Sequence, residues 1–189
     1  MRKLKLQVVI TIDGFIAGPN GEMDWMVGDW DDKLKDYIRE ITEPVDCIVL
    51  GRKLAQEFIP HWTAAFNNPA GAEEGSKKMV ETPKIVFSKT QTKSEWENTV
   101  IENGDLVEEI TKLKKQNGGD IIVYGGASFV SALIKHGLID ELHLLINPTA
   151  IGNGMPIFRE LDNTQSFNLI HAIPFECGIV VLYYKPKRS

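Results

Sequence analysis

The chain has 189 residues, 43% of them hydrophobic and 25% charged, with 21 basic against 26 acidic side chains and a net charge of −5. A chain of this length can bury a core of its own, and the composition excludes disorder as its resting state. The acidic balance argues against a nucleic-acid partner, which needs a basic face, yet leaves room for a local basic pocket around one phosphorylated ligand.

Residues 4–12 predict a first strand, almost continuously apolar in its second half, as a strand covered on both faces reads. Asp13-Gly14 and Gly18-Pro19-Asn20-Gly21 then mark a long loop. Over residues 31–42, Leu34, Tyr37, Ile38 and Ile41 recur at helical spacing, charged residues fill the other face, and Pro44 is the stop. A short strand at 46–50 closes on Gly51, a short helix is expected over 52–58, and His61 and Trp62 are expected in a loop after Pro60. The polar stretch 67–81, with Asn67-Asn68-Pro69, Gly71 and Gly75, is expected to be a surface excursion. Strands follow at 84–87 and 99–101. Leu106, Val107, Ile110 and Leu113 then give an amphipathic helix stopped by Asn117-Gly118-Gly119. Residues 120–124 form the clearest strand and run through Gly125-Gly126 into a helix over 127–136. A strand at 139–146 follows, then a hairpin of 167–173 and 178–184 with its turn at Pro174. Alternating strands and helices with an all-β end imply an α/β fold, a mostly parallel sheet with helices on both faces and an antiparallel edge.

Cys47 and Cys177 lie in or beside apolar runs and are expected as small hydrophobes with free thiols rather than a disulfide or metal pair. No C-x-x-C or H-x-x-x-H spacing exists, so no metal site is expected. No apolar run reaches the roughly 18 residues of a membrane span. The start, Met1-Arg2-Lys3-Leu4-Lys5-Leu6, reads as the beginning of a strand rather than a signal peptide, so a cytoplasmic protein without membrane partners is expected.

Three strand ends carry groups suited to phosphate. In Ile121-Ile122-Val123-Tyr124-Gly125-Gly126-Ala127-Ser128, glycines at the carboxyl end of a strand open a helix. Backbone can approach a ligand there, and the first helical N–H groups face an anion. Gly-Gly taken alone equally fits a tight turn. Ile48-Val49-Leu50-Gly51-Arg52-Lys53 repeats the pattern with two cations, and Phe87-Ser88-Lys89-Thr90 adds a hydroxyl and a third. Arg52, Lys53, Ser88 and Lys89 together suit a 2′-phosphate, hence NADPH over NADH, although any one of these charges serves equally as a solvated side chain. The G-x-G-x-x-G fingerprint is absent.

Ile12-Asp13-Gly14-Phe15-Ile16-Ala17, Gly51-Arg52, Val123-Tyr124-Gly125-Gly126, and Asp140-Glu141-Leu142 with Pro148, Gly152, Gly154, Pro156 and Phe158 occur in that order. Together they resemble the dihydrofolate reductase-like superfamily, and within it the RibD C-terminal domain, the reductase domain of bifunctional riboflavin-biosynthesis proteins. The resemblance covers nearly the whole chain. It implies one domain over residues 1–189, a three-layer α/β/α fold with an eight-stranded sheet, bound NADPH, and hydride transfer to a pteridine- or ribosylaminopyrimidine-type heterocycle. By position, Gly51, Arg52 and Lys53 would meet the pyrophosphate and 2′-phosphate, and Ser88 would sit near the adenosine phosphate. Gly125, Gly126, Ala127 and Ser128 would cover the pyrophosphate, while Ile16 and Ala17 flank the nicotinamide ribose. The loop of residues 18–25 would close over the ring; Met23, Trp25, Met26 and Trp30 cluster around it and suit a lid on a flat heterocycle, or equally core or a dimer contact. A homodimer through the hairpin is also implied.

The sequence departs from the family on the substrate side. Leu54 stands where dihydrofolate reductases carry a phosphate-binding Thr, and their pterin-holding carboxylate aligns with Trp30, between Asp29 and Asp31-Asp32. The acidic, proline-containing segment of riboflavin-type domains has no counterpart in residues 55–60. Hydride transfer to a C=N or C=O bond also needs a proton. Asp13, Asp31 and Asp32 are the candidate acids, set against roles as a turn residue and as helix caps. A reductase is the first expectation. A nucleotide-binding relative without turnover is the alternative, and an interaction subunit working through the hairpin a third.

Overall fold

The computed structural model describes residues 1–73 and 75–187. Strands β1 (Leu4–Thr11), β2 (Val45–Gly51), β3 (Lys84–Phe87), β4 (Thr99–Glu102), β5 (Asp120–Val123), β6 (Glu141–Asn147), β7 (Phe167–Pro174) and β8 (Val180–Pro186) form one sheet in the order β4-β3-β2-β5-β1-β6-β8-β7. Every pairing from β4 to β6 is parallel, and β8 and β7 close the sheet antiparallel. Helices α1 (Asp32–Thr42), α2 (Arg52–Phe66), α3 (Ser76–Glu81), α4 (Leu106–Lys115) and α5 (Ala127–Lys135) fill the connections. The expected α/β architecture, with its antiparallel hairpin, is the one observed.

The apolar faces sort the helices into layers. Ile110 and Leu113 of α4 and Val130, Leu133 and Ile134 of α5 pack with Leu4, Leu6, Val8, Ile10 and Val123 on one side of the sheet. On the other side Ala55 and Ile59 of α2 and Met79 of α3 cover Ile48, Leu50, Val86 and Ile122, and Leu34 of α1 covers Leu145 and Val181. β1 and β6 are buried along almost their whole length, which explains their near-continuous apolar runs.

Three local expectations need correction. Helix α2 does not stop at residue 58 but runs through Pro60 to Phe66, so His61 and Trp62 are helical. Proline forfeits one backbone hydrogen bond, but Phe58, Ile59 and Trp62 keep an apolar face on the sheet, and that burial carries the helix onward. The 67–81 stretch is not wholly irregular. Its end forms α3, with Met79 buried. The hairpin turn falls after Pro174, which still pairs with Val180, and the bonds Phe175 N to Ile179 O and Gly178 N to Phe175 O close it. Both thiols are free, Cys47 buried and Cys177 half-buried.

Candidate functional site

Parallel strands put their carboxyl ends on one edge, and the chain's direction across the sheet reverses there. From β1 it passes to β2 and outward to β4, then returns to place β5 between β2 and β1. The crevice at such a reversal is where open α/β sheets take ligands. α2 and α5 both begin at this point, on Gly51 and Gly126.

The two glycine junctions touch one another. A side chain on Gly51 would place its Cβ 2.9 Å from the Phe129 Cβ of α5, so Gly51 is needed for the close approach of the two helix starts. Gly125 and Gly126 are needed for a different reason, their positive φ angles of 152° and 82°. Side chains there would lie 3.7 and 3.6 Å from Leu54 of α2, and the Ile16 side chain comes within 4.0 Å of the Gly125 position. The segments that follow β1, β2 and β5 thus converge at one spot, with Ala17 held by the bond from Met155 N to its carbonyl at 2.8 Å. Phe87 pairs with Gly51 in register, so Ser88 and Lys89 follow β3 at the same edge of the sheet at which Arg52 and Lys53 open α2.

Neither α2 nor α5 has a side-chain cap or an acidic residue in its first turn. The leading N–H groups of a helix are unsatisfied and carry partial positive charge, so these two starts favour an anion. Arg52 is half-buried, its Nη1 3.4 Å from Gln56 Oε1, while Lys53, Lys89 and Ser128 are exposed. Ala127 is half-buried at the head of α5. Ser88 is buried, and its hydroxyl accepts from Thr90 N at 3.2 Å and Gln91 N at 2.9 Å, so it shapes its own turn. Above the edge, Tyr124 stacks on Phe58 with ring centroids 5.3 Å apart, and burial pushes its phenol well above the ordinary value.

The candidate carboxylates have structural partners. Asp13 accepts from the Thr11 hydroxyl at 2.6 Å and from Gly152 N at 2.6 Å, tying the loop after β1 to the loop after β6. The Thr11 hydroxyl, then the Gly152 and Ile151 amides, hold its carboxyl below the usual range. Asp31 caps α1 through Leu34 N at 3.0 Å and reaches Cys177 N at 3.0 Å, and these amides likewise lower it. Asp32 is 98% exposed by its side chain and lies 3.6 Å from Lys35 Nζ. The Asp13 and Asp31 contacts are those of the turn and cap roles.

The substrate-side loop is tied to itself. The Trp25 indole donates to Glu22 O and the Trp30 indole to Val27 O, each at 3.1 Å, while Met23 is 45% exposed. Trp30 packs against the cluster of Leu34 and Leu145. Thr149, which sequence reasoning passed over, has its Oγ1 3.4 Å from the Trp25 carbonyl and 3.2 Å from Asn147 Oδ1. Among the described residues, no group of three or more His, Cys, Asp and Glu side chains is placed to hold a metal, and no helix is long and apolar enough to cross a membrane.

Comparison with known proteins agrees with this geometry. The uncharacterized protein YyaP of Bacillus subtilis is 35% identical over 187 residues, spanning 97% of this chain and 94% of its own. A diaminohydroxyphosphoribosylaminopyrimidine deaminase/5-amino-6-(5-phosphoribosylamino)uracil reductase from Thermotoga maritima superposes with a TM-score of 0.70 at 18% identity, over 98% of this chain and 57% of that one. A dihydrofolate reductase from Enterococcus faecalis, solved with NADP(H), superposes with a TM-score of 0.65 at 17% identity, over 98% and 97% of the two chains. The model of the RibD C-terminal domain matches residues 2–181. With its eight-stranded sheet and paired glycine junctions, the chain belongs to the RibD C-terminal domain family, within the dihydrofolate reductase-like fold.

Proposed function

We propose that this protein is an NADPH-dependent reductase that transfers a hydride to a small pyrimidine- or pteridine-type heterocycle. The observation that carries it is the meeting of two uncapped helix starts, α2 and α5, at the reversal point of the sheet, with Arg52, Lys53 and Lys89 alongside. The residues present fit the dinucleotide. Gly125, Gly126, Ala127 and Ser128 would bring amides to the pyrophosphate, Arg52, Lys53 and Lys89 would meet the 2′-phosphate, and Ile16 and Ala17 would border the nicotinamide ribose. When bound, the cofactor supplies the hydride. Met23, Trp25 and Trp30 would exclude water from the ring being reduced. Asp13, Asp31 and Asp32 remain the candidate donors of the accompanying proton, the first two with carboxylates engaged by backbone amides and Asp32 exposed.

Titration with NADPH and NADH, followed by thermal shift and nicotinamide fluorescence, tests the cofactor half. Stabilisation by NADPH at concentrations about tenfold lower than NADH is expected, and no stabilisation by either overturns the reading. Stopped-flow oxidation of NADPH with dihydrofolate, and with the deaminated ribosylaminopyrimidine, then tests the acceptor. The engagement of Asp13 and Asp31 favours one second reading, a nucleotide-binding relative without turnover, which binding without oxidation of any acceptor would support.

A homodimer through the hairpin belongs to the same proposal. The outer strand β7 (Phe167–Pro174) carries no Lys, Arg, Asp or Glu, and exposes Leu169 at 53% and Ile170 at 39%. An uncharged edge of that length invites pairing. Sedimentation velocity checks it, and a strict monomer removes this part.

A further inference from the structure

The loops that follow β1 and β6 are joined side by side. Ile12 N donates to Thr149 O at 2.9 Å, Ile16 N to Met155 O at 3.0 Å and Met155 N to Ala17 O at 2.8 Å, and Phe15 bridges antiparallel to Pro156. Two glycines of the second loop allow this. Gly152 holds a positive φ of 72°, and a Cβ on Gly154 would run into the Ala17 carbonyl and lie 3.0 Å from Phe15 Cβ. The run through Gly152, Gly154 and Pro156 is therefore a clasp on residues 15–17, a part that the dinucleotide contacts leave unexplained.

Asp13 latches the clasp from outside. Its carboxylate accepts from Gly152 N at 2.6 Å and Ile151 N at 3.1 Å, and the Thr11 hydroxyl donates to it at 2.6 Å. That hydroxyl in turn accepts from Phe15 N at 2.9 Å, so one chain of bonds runs from the second loop through Asp13 and Thr11 to Phe15. Charge-assisted bonds are roughly twice as strong as neutral ones, which suits a latch at an exposed position. Ile16 and Ala17, beyond the latch, are buried, and the Ile16 side chain is the one within 4.0 Å of the Gly125 position.

We propose that Asp13 is a positioning residue. By fixing residues 149–155 against residues 12–17, it sets Ile16 and Ala17 as a rigid wall at the Gly125 junction, where the nicotinamide end of the cofactor would lie. This rests on the reductase reading above and gives Asp13 a task in that same site. The task needs an acceptor at position 13 and is separate from proton donation. Asn fills it, with an oxygen for Gly152 N and an N–H for the Thr11 hydroxyl, and Ala does not. The wall serves the nicotinamide half alone, because the adenosine half would rest on Arg52, Lys53 and Lys89 at other strand ends.

The test compares NADPH with adenosine 2′,5′-bisphosphate, which lacks the nicotinamide half, by calorimetry on the full chain. Asp13→Ala is expected to lose about tenfold in NADPH affinity and to bind the bisphosphate as wild type does. Asp13→Asn is expected to stay within about threefold of wild type for NADPH. Hydrogen exchange of the unliganded Asp13→Ala chain is expected to quicken about tenfold at the Ile16 and Met155 amides, which bond across the clasp to Met155 O and Ala17 O rather than to Asp13. If Asp13→Ala does not fold, Gly152→Ala carries the comparison. Its Cβ meets nothing within 4 Å while its φ is strained, so it loosens the latch and is expected to show the same selective loss. Equal loss for both ligands, no loss for either, or Asp13→Asn as weak as Asp13→Ala would overturn the proposal. A wild type that binds neither ligand sinks the reductase reading and this role with it, whereas unchanged NADPH affinity in Asp13→Ala sinks the role alone.

Discussion

Two of the four long helices begin on a carboxylate and two on a glycine. Asp31 and Asp105 cap α1 and α4 through amides of the first turn, and both helices carry an acid there, Asp32 in α1 and Glu108 and Glu109 in α4. α2 and α5 start at Gly51 and Gly126 with no cap and no acid. The first pair completes its own hydrogen bonding. The second leaves it to be completed from outside, and only the second pair starts at the reversal point of the sheet. The difference between the two pairs lies in the cap rather than in the body of the helix.

Giving an uncapped start its own carboxylate breaks that difference most sharply. Ser128→Asp places an acid in the exposed first turn of α5, where it complements the helix dipole by about 0.3–1 kcal/mol. The unliganded protein is expected to melt slightly higher while NADPH affinity falls by about 100-fold, since the new charge faces the pyrophosphate. Equal affinity in wild type and variant would separate the helix start from the cofactor. Arg52→Ala comes next, with an expected loss of about tenfold in NADPH affinity, larger at low salt than at high salt, and little change for NADH. The reverse experiment, Asp31→Ala, removes a cap and the bond to Cys177 N, and is expected to lower stability by about 1 kcal/mol with cofactor affinity intact. Denaturant melts read that change.

A subtler effect concerns the other end of a helix. Lys84 is buried, donates to Val80 O at 3.0 Å and Thr82 O at 2.8 Å at the end of α3, and is pushed down to about 8 by burial. The unfolded chain, with an ordinary lysine value of 10.5, binds more protons above pH 8 than the folded one. Stability is therefore expected to rise with pH from about 8 towards 10.5, and Lys84→Met to flatten that rise in urea melts taken across the range.

The strand positions and glycine junctions were legible because local chemistry decides them. The expected strand at 84–87 has the observed bounds, and Gly125-Gly126 marked the one helix start that needs positive φ twice. What escaped depended on partners distant in sequence. Nothing near Pro60 reveals that Phe58 and Trp62 will find Tyr124, the contact that helps α2 continue. Asp13 offers itself in the sequence equally as turn and acid, and its bond to Gly152, 139 positions away, could not be read there.

The place of β1 in the sheet bears on how the protein is made. Its two neighbours are β5 and β6, with Leu4 opposite Ile121 and Lys5 opposite Glu141, so a nascent chain holds its central strand unpaired until most of the sequence has left the ribosome. Through that interval an apolar strand without partners is exposed to chaperones and to other chains. Assembly must then proceed by slow, long-range closure rather than by local zippering. A truncation ending before Asp120 would lack both neighbours of β1, and with them the edge on which the site is built.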